Sequence, residues 1–195
     1  MPNKGEERVK MENGTKRDRT KVLKLAKLGM LAAISVVFIV LIHFPIIPGA
    51  PYLEYDPADV PILIGAFAFG PLAGIMLTVV VAVIQGTTVS AAGGIWGIIM
   101  HIIATGTLKA TAGIIYRFKK TKKAAIIALI AGTLAMTAVM CVANIIITPI
   151  YTGMPRAGVI ALIIPAILPF NLIKAGVNSV ITFILYKRIS SFLHK

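Results

Sequence analysis

Residues 60–108 read VPILIGAFAFGPLAGIMLTVVVAVIQGTTVSAAGGIWGIIMHIIATGTL, and no Asp, Glu, Lys or Arg interrupts them between Asp59 and Lys109. The run is far longer than the roughly 20 apolar residues that one membrane-spanning helix needs. In water it would aggregate. In a bilayer it lets the chain cross more than once, provided its backbone polar groups are paired within helices. The hydrophobic fraction of 57% and mean hydropathy of +0.89 extend that reading to the whole chain. The fold class is therefore an all-α integral membrane protein, and function is to be sought inside the helices and the loops that cap them.

Outward from this run the apolar segments divide into six. They are Val22–His43, Ala58–Phe69, Leu72–Ile84, Ile95–Tyr116, Ala124–Ile150, and a last one from Val159 or Pro165 to Tyr186. The second is short, about 18 Å at helical rise, so it is expected to tilt into a loop or to be shielded by neighbours. Pro45, Pro48, Gly49 and Pro51 break the first helix. Gly70-Pro71 makes a tight turn, and Gly86 to Gly94 is a loop of small residues. Four spans with a re-entrant element over 58–90 would also satisfy the charges; six is the preferred count. Residues 21–195 then form one six-helix transmembrane domain, preceded by a flexible basic tail over 1–20.

The formal charge of +13 is clustered. One group runs from Lys4 to Lys27, a second holds Arg117, Lys119, Lys120, Lys122 and Lys123, and a third holds Lys187, Arg188 and Lys195. Basic groups beside apolar spans mark the cytoplasmic side. Six passes put both termini and the 117–123 loop inside a cell membrane, with the loop carrying Glu54, Asp56 and Asp59 outside. No basic stripe interleaved with aromatics lies on a soluble module, so a nucleic-acid partner is set aside. The single cysteine, Cys141, has no intrachain partner and reads as a small packed residue.

Polar side chains inside lipid-spanning helices are costly and tend to mark a site. His101, Thr105 and Lys109 share one face of the fourth span. Thr137, Cys141, Asn144 and Thr148 share one on the fifth, and Asn171, Lys174 and Asn178 one on the sixth. His101, Asn144, Thr148, Asn171 and Lys174 all fall in the outer half, beneath the loop with Tyr52, Glu54, Tyr55 and Asp59. This predicts a cavity open to the outside and lidded by that loop. Lys109, close to Arg117, is expected to snorkel to the inner surface. Asn178 is expected to bond a neighbouring helix, and Asp59 to cap the second helix. There is no HExxH and no GxxxxGK[ST] phosphate loop, so neither zinc-protease chemistry nor ATP hydrolysis is encoded here.

Three segments carry a family resemblance. Residues 53–74, LEYDPADVPILIGAFAFGPLAG, and residues 169–176, PFNLIKAG, resemble motifs of the substrate-binding (S) components of energy-coupling factor (ECF) vitamin transporters, most closely the riboflavin branch. Gly29-Met30-Leu31-Ala32-Ala33 is similar to the small-residue motif with which S components dock a shared transmembrane coupling subunit. The resemblance implies a non-enzymatic, multi-pass binding subunit for riboflavin uptake, with FMN as a second candidate ligand. It also implies a coupling subunit and two ATPases as partners, and no cofactor or metal. The residues expected at the ligand are Tyr52, Tyr55, Trp96, His101, Asn144, Thr148, Asn171 and Lys174, with Gly29 and Ala33 for docking. An S component for another vitamin and an intramembrane scaffold whose polar faces only bond helices are the alternatives.

Overall fold

A computed structural model describes residues 4–193. Residues 1–3 of the expected tail and Lys195 of the third basic cluster lie outside them. The backbone is helical from its first described residue, since α1 runs over Lys4–Leu41. The basic segment expected to be flexible thus continues the helical path of the first span.

A two-residue hairpin pair follows, β1 (Phe44–Pro45) against β2 (Glu54–Tyr55), antiparallel with Phe44 opposite Tyr55. Then come α2 (Asp59–Phe69) and α3 (Pro71–Thr87), separated by Gly70 alone, whose φ of 95° makes the reversal. A single 3₁₀ turn, Ala91–Gly93, leads into α4 (Gly94–Phe118), and α5 occupies Lys122–Thr152. The last apolar segment is one helical path in three parts. They are α6 (Arg156–Leu162), a π-helical turn (Ile163–Ile167) and α7 (Leu168–Leu193).

The π turn follows from sequence. Pro169 has no N–H to return to the carbonyl four residues back, and the N–H of Leu168 reaches Ile163, five residues back. The widened turn lies immediately before Asn171 and Lys174.

Among the described residues four stretches are long and apolar enough to cross a membrane: Arg17–Leu41, Gly94–Phe118, Lys122–Thr152 and Arg156–Tyr186. Helices α2 and α3 are shorter. Every residue of α2 from Asp59 to Phe67 is buried, so shielding by neighbours is what accommodates it. Large apolar side chains such as Val40, Leu72, Ile127, Leu134 and Ile164 stand on the outer surface. Only hydrocarbon would cover so extensive an apolar exterior.

Helices α4 and α5 approach closely at Gly132, where a Cβ would lie 3.0 Å from the Leu108 carbonyl oxygen. The main core joins α1 to α5 and α7, with Phe67, Tyr116 and Tyr186 forming an aromatic cluster at one end. A second, smaller core sits at the other end. There Ala50 and Leu53 of the 42–58 loop pack on Val159, Ile167 and Phe170, with Cys141 partly buried beside them. The loop is thereby fixed over that end of the bundle.

Candidate functional site

Two buried ion pairs fix the polar interior. Lys174 Nζ lies 2.8 Å from Asp56 Oδ2, with side-chain exposures of 9% and 0%. Lys109 Nζ lies 3.0 Å from Asp59 Oδ1, both fully buried. Two acids meet two bases, so the interior carries no net charge from these four groups. Each charge needs its partner, because an unpaired one in this surrounding would cost several kcal/mol. Asp59 does not cap α2 by its side chain, in contrast to expectation; it lies in the helix's first turn, and it is Asp56 Oδ1 that accepts from the Ala58 N–H, at 3.1 Å. Ala58 holds the cap position of α2 without a side-chain bond. Lys109 does not snorkel; Asp59 holds it inside.

The remaining hydrogen bonds tie the loop to the helices. Lys174 also donates to the Glu54 carbonyl at 3.0 Å. Asn178 donates to the Asp56 carbonyl at 3.0 Å and to Asp59 Oδ2 at 3.3 Å. It accepts from the Tyr55 hydroxyl at 3.0 Å. Thr105 donates to Asp59 Oδ1 at 2.7 Å. Ser35 of α1 donates to the Ala58 carbonyl at 3.0 Å. At the loop's other edge His43 Nε2 and Glu54 Oε2 are 2.7 Å apart, and Ser90 Oγ lies 3.2 Å from each. Asn178 bonds a neighbouring helix as expected, through Asp59 at the start of α2, and it clamps the loop as well.

Beneath the loop lies a cavity of about 190 Å³, at the end of the bundle opposite Arg117 and Lys120. Its walls come from α3, α4, α5 and α7, with Tyr52, Leu53 and Glu54 as the roof. The apolar lining includes Met100, Ala104, Met136, Met140 and Phe170, and the polar lining includes Gln85, His101, Asn144, Asn171 and Lys174.

Hydrogen-bonding capacity remains at this wall. Lys174 has three N–H donors and directs two at the loop, so one is left. Asn144 and Asn171 each give one amide N–H to their own helix, at Met140 and Ile167, and each has a second. Thr148 donates to Asn144 Oδ1 at 2.8 Å and so fixes which way that amide points. Two buried polar atoms have no partner among the described residues, the Tyr52 hydroxyl and Gln85 Oε1. Both residues line the cavity. Buried polar atoms are nearly always bonded, so an orphan pair in one cavity calls for a ligand or water. Burial raises the Tyr52 phenol above its ordinary value, which keeps it protonated and able to donate.

Comparison with known proteins agrees with this geometry. The family described as ECF transporter, substrate-specific component matches residues 23–186. The chain belongs to that family. It is 34% identical over 178 residues to the riboflavin transporter RibU of Staphylococcus aureus, covering 88% of this chain and 93% of the relative. It is 30% identical over 184 residues to the riboflavin transporter FmnP of Bacillus subtilis, covering 90% and 96%. A solved S component of a bacterial ECF transporter superposes with a TM-score of 0.75 at 34% identity, covering 88% of this chain and 98% of that one. The protein is thus a multi-pass membrane S component, a binding subunit and not an enzyme.

Of the residues the sequence nominated in this S component, Tyr52, His101, Asn144, Asn171 and Lys174 line the cavity. Three do not. Tyr55 turns to Asn178 and to the Phe44 ring. Trp96 packs against the main core. Thr148 lies behind Asn144 and donates to its Oδ1. Gln85, Ser90 and Tyr151 line the cavity and were not nominated. Gln85 carried a signal, being an amide inside an uncharged run. Gly29 and Ala33 are exposed on the outer face of α1, and a Cβ on Gly29 would meet nothing within 4 Å.

Proposed function

We propose that this S component captures riboflavin from outside the cell and hands it to an ECF coupling subunit driven by two ATPases. In this reading the chain crosses the membrane six times, both termini are cytoplasmic, and the cavity opens outward. The names of the Staphylococcus and Bacillus relatives support the vitamin. The observation that carries the reading is the cavity wall, which sets an apolar, sulfur-rich surface against a few convergent polar groups with bonding capacity to spare.

Riboflavin joins a flat ring system to a tetrahydroxy chain, and each part has a counterpart. Met100, Met136, Met140 and Phe170 would hold the ring faces, thioethers being favourable against aromatic rings. Gln85 Oε1 is an acceptor for the ring imide N–H, and the Tyr52 hydroxyl a donor for a ring carbonyl. The free N–H groups of Lys174, Asn171 and Asn144 would bond the chain hydroxyls. FMN would add a phosphate, for which Lys174 is the cation at hand. Gly29 and Ala33 would let a coupling-subunit helix approach α1 closely.

The test is the absorbance spectrum of freshly purified protein. Flavin bands, or strong quenching of added riboflavin fluorescence, are expected. A colourless protein that also leaves riboflavin fluorescence unchanged would refute the assignment of the vitamin.

A further inference from the structure

A second groove, of about 580 Å³, lies at the basic end of the bundle between residues 21–28 of α1, the α2–α3 turn and the end of α4. Its rim carries Lys21, Lys24, Arg117 and Lys120. Its floor carries Leu25, Phe69, Leu72 and Met76. Sequence builds this shape at Gly113. A Cβ there would lie 3.1 Å from Pro71 Cα, so glycine lets α4 close on the start of α3 and brings Arg117, one turn further on, to the rim. Lys24 Nζ stands 5.9 Å over the Phe69 ring, a cation held above the apolar floor.

The order of residues along the helices gives the groove a direction. On α1 the cations Lys21 and Lys24 precede Leu25. On α3 the turn at Pro71 precedes Leu72 and Met76. On α4, which runs the other way, Gly113 precedes Arg117, and Lys120 follows just beyond the helix end. Cations therefore stand at the basic end of the groove, and the apolar floor extends toward the middle of the bundle. Leu25, Leu72 and Met76 are 69%, 70% and 56% exposed, so the floor opens onto the lipid-facing surface.

No acid lines the groove among the described residues. Among the described residues Asp18 is the only acid paired with a rim cation, at 3.6 Å from Lys21. With exposures of 75% and 70%, that pair holds Lys21 weakly. A free anion would satisfy the rim and leave the floor bare. A phospholipid presents phosphate and acyl chain in the same order as rim and floor.

We propose that this groove holds one anionic phospholipid, its phosphate against Lys24 and Arg117 and an acyl chain along Phe69, Leu72 and Met76. The site is independent of which vitamin the cavity takes. It anchors α1, whose exposed face carries Gly29 and Ala33, to the α3–α4 end of the bundle.

Native mass spectrometry tests it, on the full chain released from nanodiscs of equal phosphatidylglycerol and phosphatidylcholine. One retained phosphatidylglycerol is expected, in clear preference to phosphatidylcholine. Each basic residue near an anionic headgroup is worth about fivefold, so Lys24→Gln with Arg117→Gln should cut the preference roughly 25-fold. Flavin binding should be unchanged, since neither residue lines the cavity. Equal retention of the two lipids by the wild type overturns the proposal, as does undiminished preference in the double variant. Displacement of the lipid by millimolar inorganic phosphate alone would make this a free-anion site. Unchanged lipid preference with lost assembly onto the coupling subunit would give the groove to a protein partner.

Discussion

Replacing Lys174 by methionine removes an ammonium and keeps a side chain of similar length, and the structure assigns that ammonium two separable tasks. One is to neutralise Asp56 at 2.8 Å, where the carboxylate is fully buried. Breaking a buried pair from one side costs about 3–5 kcal/mol, because the stranded charge is left unsolvated. For a chain of this size that is on the order of 10 °C in apparent melting temperature. The other task is to offer its third N–H to ligand. A hydrogen bond from a charged donor is worth about 1.5–3 kcal/mol, or one to two decades in Kd. A single variant mixes the two effects.

A double-mutant cycle separates them. Asp56→Asn alone places an amide N–H near the ammonium and should destabilise as well. Asp56→Asn with Lys174→Met leaves no buried charge at this pair. Gln85, whose Nε2 lies 3.4 Å from Asp56 Oδ2, can then turn its unpartnered oxygen to the new amide. The double variant should recover most of the lost melting temperature, measured without ligand because bound ligand itself stabilises. Its riboflavin Kd, from fluorescence quenching, should stay ten- to hundredfold weaker than wild type. A double variant that regains full affinity would remove Lys174 from the ligand. A Lys174→Met protein that melts like wild type would refute the structural role of the pair.

The second pair predicts a different pattern. Asp59 and Lys109 do not line the cavity, so Lys109→Met should lower thermal stability by about 3–5 kcal/mol while the folded fraction binds riboflavin with native affinity; a weakened Kd at unchanged stability would contradict it. Gly29→Leu meets no atom of this chain within 4 Å, so it should leave riboflavin binding intact and abolish cellular uptake. If both fall together, this face packs internally instead. The loop tip around Pro48–Gly49 projects from the pinned roof, and riboflavin should slow its cleavage by proteinase K; equal cleavage with ligand demonstrably bound would make the loop a passive connector.

What the sequence disclosed and what it hid divide along one physical line. Periodicity is local, and it placed His101, Asn144, Asn171 and Lys174 on inward faces because residues three or four apart share a side of a helix. It also put the breaks at Gly70-Pro71 and before Gly94, where backbone chemistry is fixed by one or two residues. Partnership is non-local. Lys174 meets Asp56 across 118 positions and Lys109 meets Asp59 across 50, and no spacing rule reaches that far. Asp56 therefore read only as an acid of an outside loop and Asp59 as a helix cap, although they are the groups that make two intramembrane lysines tolerable.

A charge inventory would have recovered this. Two lysines stand alone in long uncharged stretches, each demands a carboxylate, and the 42–59 loop holds the nearest supply. The same inventory explains why that loop is more than a cover. With Asp56 and Asp59 committed to α7 and α4, and the Asp56 carbonyl to Asn178, the loop cannot lift as a whole without stranding charges. The segment from Ile46 to Leu53 carries none of these bonds and is held instead by apolar packing on Val159, Ile167 and Phe170. The roof residue Tyr52 lies in that segment, with its hydroxyl buried and unpartnered. Separating that packing would uncover the cavity and leave both ion pairs closed.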